Sequence, residues 1–150
     1  MVPTDDPVVK LSGLIQGIDL VILTTVRPDG SLHSSPMVSH GVEANGVFWL
    51  LASDHSDKVE AVRTTQHVNL AFCDPAKQRY VSISGFCELI RDRNRAHAMW
   101  KTDYSSWFPG GVDDPNLILL RIVAQQAEYW DAAQARMIPL NGFLSSLEYH

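Results

Sequence analysis

Gly46-Val47-Phe48-Trp49-Leu50-Leu51-Ala52-Ser53 runs without a break into Asp54-His55-Ser56-Asp57-Lys58-Val59. From Val47 to Ala52 every residue is apolar, whichever face of a strand it would occupy. That predicts a strand buried on both sides, hence central in a sheet. Immediately after it, Val59, Val62 and Arg63 fall at helical spacing and predict a short helix over 56–65. Asn45-Gly46, just before the strand, is a hairpin signal. Working outward, Asp19–Val26 is rich in β-branched residues and reads as a strand. Arg27-Pro28-Asp29-Gly30 is a turn, and Leu32–Ser39 forms the returning strand. Leu11, Leu14, Ile15 and Ile18 place a short amphipathic helix in front. Downstream come a strand over Val68–Cys73, a turn over Asp74–Gln78 and a long strand over Tyr80–Ile90 with Gly85 as its bend. A helix is predicted from Asp92, its N-cap, to about Tyr104, then a Trp107–Gly111 loop. Two final strands cover Leu117–Val123 and Glu128–Asp131, and the tail after Ala132 is expected to be flexible. Strands joined by short turns, with helices at three places, predict a mostly β, α+β fold built on an antiparallel barrel.

The chain has 150 residues, enough for one domain with its own core, and no repeat or linker divides it. Lys and Arg total 12 and Asp and Glu 17, for a net charge of −5. That balance argues against binding duplex nucleic acid or an anionic membrane through a general field, while leaving room for one local basic pocket. Cys73 and Cys87 lie in apolar runs and are expected to be buried free thiols in a reducing compartment. Residues 1–10 lack the basic-then-apolar order of a signal peptide, and no apolar run approaches the ~20 residues of a membrane span. The expected location is the cytoplasm.

The strand-to-helix junction at 53–58 is where chemistry is most readable. Helix N-termini present free N–H groups and the positive end of the dipole. Ser53 and Ser56 add hydroxyls and Lys58 a cation, a combination suited to a phosphate. The same residues also read as an ordinary capped helix with a solvated lysine. No two histidines stand at metal-ligand spacing, and HExxH, GxSxG, GxGxxG and the P-loop are all absent, so no metal is expected. Trp107-Phe108 and Trp130 could wall a flat ligand by stacking, or could pack in a core or dimer contact.

The order Thr24-Thr25, Asp29-Gly30, His33-Ser34-Ser35-Pro36-Met37, Phe48–Ser53, Ser56-Asp57-Lys58-Val59 and Arg79–Gly85 resembles the pyridoxamine 5′-phosphate oxidase-like, FMN-binding split β-barrels. Trp107–Gly111, Asp113-Asp114-Pro115, Leu119-Leu120-Arg121 and Glu128–Asp131 resemble the bacterial general stress protein branch. The resemblance covers residues 10–131. It implies a six-stranded split barrel and a homodimer with two FMN sites at the subunit interface. Carried over residue by residue, Ser53, Ser56 and Lys58 would hold the phosphate. Pro36, Met37, Val38, Leu51 and Ala52 would run along the isoalloxazine edge and offer it backbone groups, Tyr80 would contact the flavin, and Trp130 would match the cofactor-site aromatic near the C-terminal end of the barrel. Trp107 and Phe108 would come from the partner subunit. FAD and the deazaflavin F420 stay open as alternative cofactors.

Two positions depart from that branch: Ser35 and Asp57 stand where arginines are usual. Losing two cations predicts a weakened phosphate pocket. Arg136 is the only Lys or Arg after Trp130, so authentic pyridoxamine phosphate oxidase activity is not expected. The expectation is an FMN flavoprotein of the general stress type acting on a small-molecule redox partner. A flavin-binding protein without turnover and a split-barrel dimer that has lost flavin are the alternatives. No catalytic residue is evident.

Overall fold

The computed structural model describes residues 6–143. Helix α1 (Pro7–Ile15) starts earlier than its apolar spacing suggests, because Asp6 caps it through Val8 N–H at 2.9 Å and Pro7 sits in the first turn. Then come β1 (Leu20–Val26), β2 (Leu32–Val38), β3 (Val47–Ser53), α2 (Asp57–Thr64), β4 (His67–Asp74) and β5 (Arg79–Ile90). Helix α3 (Arg93–Met99), a 3₁₀ turn (Thr102–Ser106), β6 (Leu117–Asp131) and β7 (Arg136–Leu140) follow among the described residues.

Every ladder is antiparallel, in the order β2-β1-β4-β5-β6-β3, with β7 on the free side of β6 beyond β3. The end strands β2 and β3 approach each other but share no hydrogen-bonded ladder, so the barrel is split along that line. Phe48, Leu50, Leu70, Phe72, Ile83, Leu120 and Ile122 fill the interior, which α1 (Leu11, Ile15) and α2 (Val59, Val62) help close. A second cluster forms outside β3 and β6, where Leu51 and Leu119 meet Ala96 of α3 and Tyr104 of the 3₁₀ turn.

That second layer corrects the expected place of β3. The strand is buried on both faces yet pairs only with β6. Its outer face is covered by the α3 region, not by a central position in the sheet. Asn45-Gly46 does make a turn, with Gly46 at φ 81° and Val47 N–H donating to Asn45 Oδ1, but β2 and β3 form no hairpin. The strands expected at 117–123 and 128–131 are one 15-residue strand. Its weak middle, Ala124–Ala127, is held by β5 across a bulge at Ser84/Gly85. Helix α3 ends at Met99, where Trp100 leaves helical geometry. Instead of a flexible start to the tail, residues 136–140 form the seventh strand; residues 144–150 lie outside the described part. Cys87 is fully buried, and desolvation pushes its thiol up to about 12. Cys73, contrary to expectation, is exposed, on the outer face of β4. Among the described residues no helix is long and apolar enough to cross a membrane.

Gly85 lies at the bulge for a steric reason. A Cβ there would lie 2.8 Å from the Val123 carbonyl oxygen and 2.9 Å from Ile122 Cγ2. Gly85→Ala should therefore cost about 1–3 kcal/mol of stability, measured by urea unfolding. A variant as stable as the parent would show that the bulge yields freely.

Candidate functional site

The split between β2 and β3 opens into a cleft of about 130 Å³. Met37 and Val38 line it from β2 and Leu51 and Ser53 from β3. Ser56 and Lys58 close its polar end, and Tyr104, Trp107 and Phe108 wall its aromatic end. A second cleft of about 330 Å³ continues past Val38, Tyr104 and Trp107 to Asp19, Leu20, Lys101 and Asp103. Another hollow, about 320 Å³ between β5, β6 and the residues after β7, contains no cation among its lining residues.

At the polar end, Ser56 occupies the N-cap position of α2, but its side chain makes no capping bond. Its hydroxyl instead donates to the Ser53 carbonyl at 2.7 Å. The first-turn N–H groups of α2 are thus left without a side-chain cap. Ser53 Oγ accepts weakly from His55 N–H at 3.4 Å and keeps its own proton to donate. Lys58 is half-buried, and desolvation holds its ammonium below the usual lysine value. Nearby cations are paired: Arg63 and Arg91 both bind Asp54, and Arg95 reaches Glu43. Lys58 has no hydrogen-bond or ion-pair partner among the described residues. A desolvated, unpaired cation beside uncapped N–H groups fits an anion.

At the aromatic end, Trp100, Tyr104 and Phe108 pack on one another with ring centroids 5.3–6.2 Å apart. Trp107, 41% exposed, offers a ring to the cleft mouth. Tyr104 is buried and shares a hydrogen bond with His40 Nε2 while stacking on its ring. Desolvation raises the Tyr104 hydroxyl above the ordinary phenol value. Desolvation, helped by Lys101, lowers His40 to about 4. The pair is therefore neutral at pH 7, and of the two Tyr104 lines the cleft.

The cleft brings together eight residues expected from the sequence: Met37, Val38, Leu51, Ser53, Ser56, Lys58, Trp107 and Phe108. Trp107 and Phe108 line the cleft of their own chain, where the resemblance had them reach across from a partner. The side chains of four others lie elsewhere. Pro36 is exposed on the outer face of β2 opposite Ile22, and the Ala52 side chain is buried in the barrel. Tyr80 stands opposite Cys73 and Trp130 opposite Met137, both away from the cleft. Tyr104 is the residue that sequence reasoning missed. Its signal was the spacing of Trp100, Tyr104 and Phe108 four residues apart.

The profile of the family described as pyridoxamine 5′-phosphate oxidase like matches residues 6–146. The chain belongs to this family. Within it, the structure resembles a Clostridium acetobutylicum protein related to general stress protein 26, with TM-score 0.76 and 20% identity over 91% of this chain and 95% of that one. It also resembles the general stress FMN/FAD binding protein of Xanthomonas citri, with TM-score 0.67 and 25% identity over 85% and 89% of the two chains. Protein bli-3 of Neurospora crassa is 24% identical over 138 residues, 85% of this chain. The chain spans 66% of the length of that relative.

The His40 shift carries a sign that can be tested. Its folded value lies below its ordinary 6.5, so protonation favours the unfolded chain. The corresponding stability is complete above about pH 6.5 and is lost as pH falls toward 4. His40→Gln should flatten this acid-side loss in thermal melts taken between pH 7 and 4. An unchanged slope would remove His40 as its source.

Proposed function

We propose that this chain is an FMN-binding flavoprotein of the general stress type and a flavin-dependent oxidoreductase. The observation that carries the reading is Lys58: half-buried, unpaired, and in one cleft with the Ser53 hydroxyl, the uncapped start of α2 and an aromatic wall. A phosphate at the polar end would accept from Lys58, Ser53 and the α2 amides. Val38, Leu51 and Trp107 would border a planar ring at the other end and keep water from it. The flavin, when bound, supplies the redox chemistry, and the protein contributes binding and orientation.

A cleft of about 130 Å³ falls below the roughly 300–1,000 Å³ usual for sites that enclose a ligand of this size. We infer that a second copy completes it. The outer face of β2, β1 and the adjoining part of β4 and β5 carries Leu20, Ile22, Pro36, Val38, Ala71 and Ser82, while the carboxylate farther along β5, Glu88, is paired with Arg121. Such a face suits burial against its own twin. Tyr80 and Trp130, remote from their own cleft, would then be available to the partner's.

The decisive experiment is a visible spectrum of the purified protein followed by titration with FMN, FAD, F420 and riboflavin. FMN should bind far more tightly than riboflavin. Lys58→Ala should weaken FMN binding about ten- to a hundred-fold, a loss of about 1.5–3 kcal/mol, and leave riboflavin unchanged. Equal weakening of both ligands would take the phosphate away from Lys58. Reduction of bound flavin by NADH or NADPH tests turnover; a flavin that binds and is never reduced would mark a carrier. Ile22→Glu should convert dimer to monomer in sedimentation analysis, and a variant that remains dimeric would exclude this face.

A further inference from the structure

The cleft that holds Lys58 does not end at its aromatic wall. The second cleft, about 330 Å³, shares Val38, Tyr104 and Trp107 with it. Asp19 and Lys101, in turn, line both the second cleft and a groove of about 600 Å³ between the end of α1 and residues 39–41. The three spaces are thus continuous through shared lining residues. Unlike the first cleft, the second falls within the roughly 300–1,000 Å³ usual for a small-molecule site.

Its walls divide by chemistry. Leu20, Val38, the Tyr104 ring and the 41% exposed Trp107 form the apolar part, the Tyr104 hydroxyl being engaged by His40. Lys101, Asp19 and Asp103 are the charged part. Lys101 Nζ donates to the Ser39 carbonyl at 3.4 Å and forms no ion pair with either carboxylate. Among the described residues neither carboxylate has a hydrogen bond or ion pair of its own. An aromatic surface, N–H donors and carboxylate acceptors therefore stand open in one cleft. A primary carboxamide on a planar ring uses all three: its carbonyl accepts, its NH₂ donates and its ring stacks. A purely anionic ligand would meet two carboxylates for one ammonium, and an apolar one would leave every charge unused.

We propose that the second cleft holds a nicotinamide nucleotide, its carboxamide read by Lys101 and by the carboxylate of Asp19 or Asp103, its pyridine ring against Trp107. The rest of the molecule would leave through the groove beside α1. The proposal rests on the reading of the first cleft as a flavin site. Val38 and Trp107, which would border the flavin ring, are shared by the two clefts, so the two rings would meet there. The reduced pyridine ring gives one hydride, with both electrons, to the oxidised flavin and is left as a pyridinium cation. Asp19 and Asp103 supply the negative charge that suits that product.

The test is calorimetric titration of the full chain, with and without FMN, using oxidised NAD, oxidised NADP and the acetylpyridine analogue of NAD, which keeps the carbonyl and lacks the NH₂. No turnover is needed. Lys101, Asp19 and Asp103 are exposed, so their replacement leaves the core intact. Lys101→Met should weaken nucleotide binding about fivefold or more and leave FMN binding unchanged. The parent should prefer NAD to the analogue, and Asp19→Ala or Asp103→Ala should erase that preference. Parent-like nucleotide binding by Lys101→Met, or a preference that survives both alanine variants, overturns the proposal. So does nucleotide binding that FMN abolishes, since the flavin would then fill the second cleft itself. A protein that binds FMN and no nucleotide also overturns it and leaves the flavin reading standing. Nucleotide binding with the predicted variant effects and no FMN binding supports the second cleft and removes the flavin reading. A protein that binds neither overturns both.

Discussion

The rest of the site depends on one missing interaction: β2 and β3 close the barrel without hydrogen-bonding to each other. A continuous ladder there would fill the space between them and leave only a smooth wall. The split leaves two strand edges that must be covered by something other than strands. The 3₁₀ turn and the Trp107-Phe108 segment cover the gap at one end, and α2 at the other. The cleft is what remains between these covers. Its two ends differ because an aromatic segment closes one and a helix start closes the other.

Charge placement follows from the same geometry. Cations around the junction are neutralised locally, Arg63 and Arg91 by Asp54, Arg95 by Glu43 and Arg121 by Glu88. Lys58 is the second residue of α2 and lines the cleft, with no ion pair to these carboxylates. Asp57, its neighbour in sequence, is exposed and does not pair with it. A desolvated cation held this way is costly, and an anion in the cleft would relieve that cost.

Much of the framework was readable from local pattern. β1, β2, β4 and β5 fall where alternation and turn residues put them, because each buries one face and shows the other to solvent. Ser53, Ser56 and Lys58 were legible because a strand end, a helix start and a cation are local features. Tyr104 was not, since its role comes from His40, 64 positions away in the chain. The continuity of β6 was hidden by its alanines and glutamines, which β5 holds in register from outside.

The sequence by itself determined that β1 to β5 are strands, where α2 begins and that two serine hydroxyls and a lysine stand there, since these depend on residues within a few positions of one another. Only the tertiary structure decided that β3 joins β6 instead of β2. That choice rests on the α3 layer covering the strand's second apolar face, which no local pattern encodes. It also decided that Trp107 and Phe108 fold onto their own chain's cleft and that Thr25 Oγ1, His33 Nδ1 and Ser35 Oγ are buried without hydrogen-bond partners. Those outcomes turn on which distant surfaces meet and which polar atoms the meeting leaves without a partner.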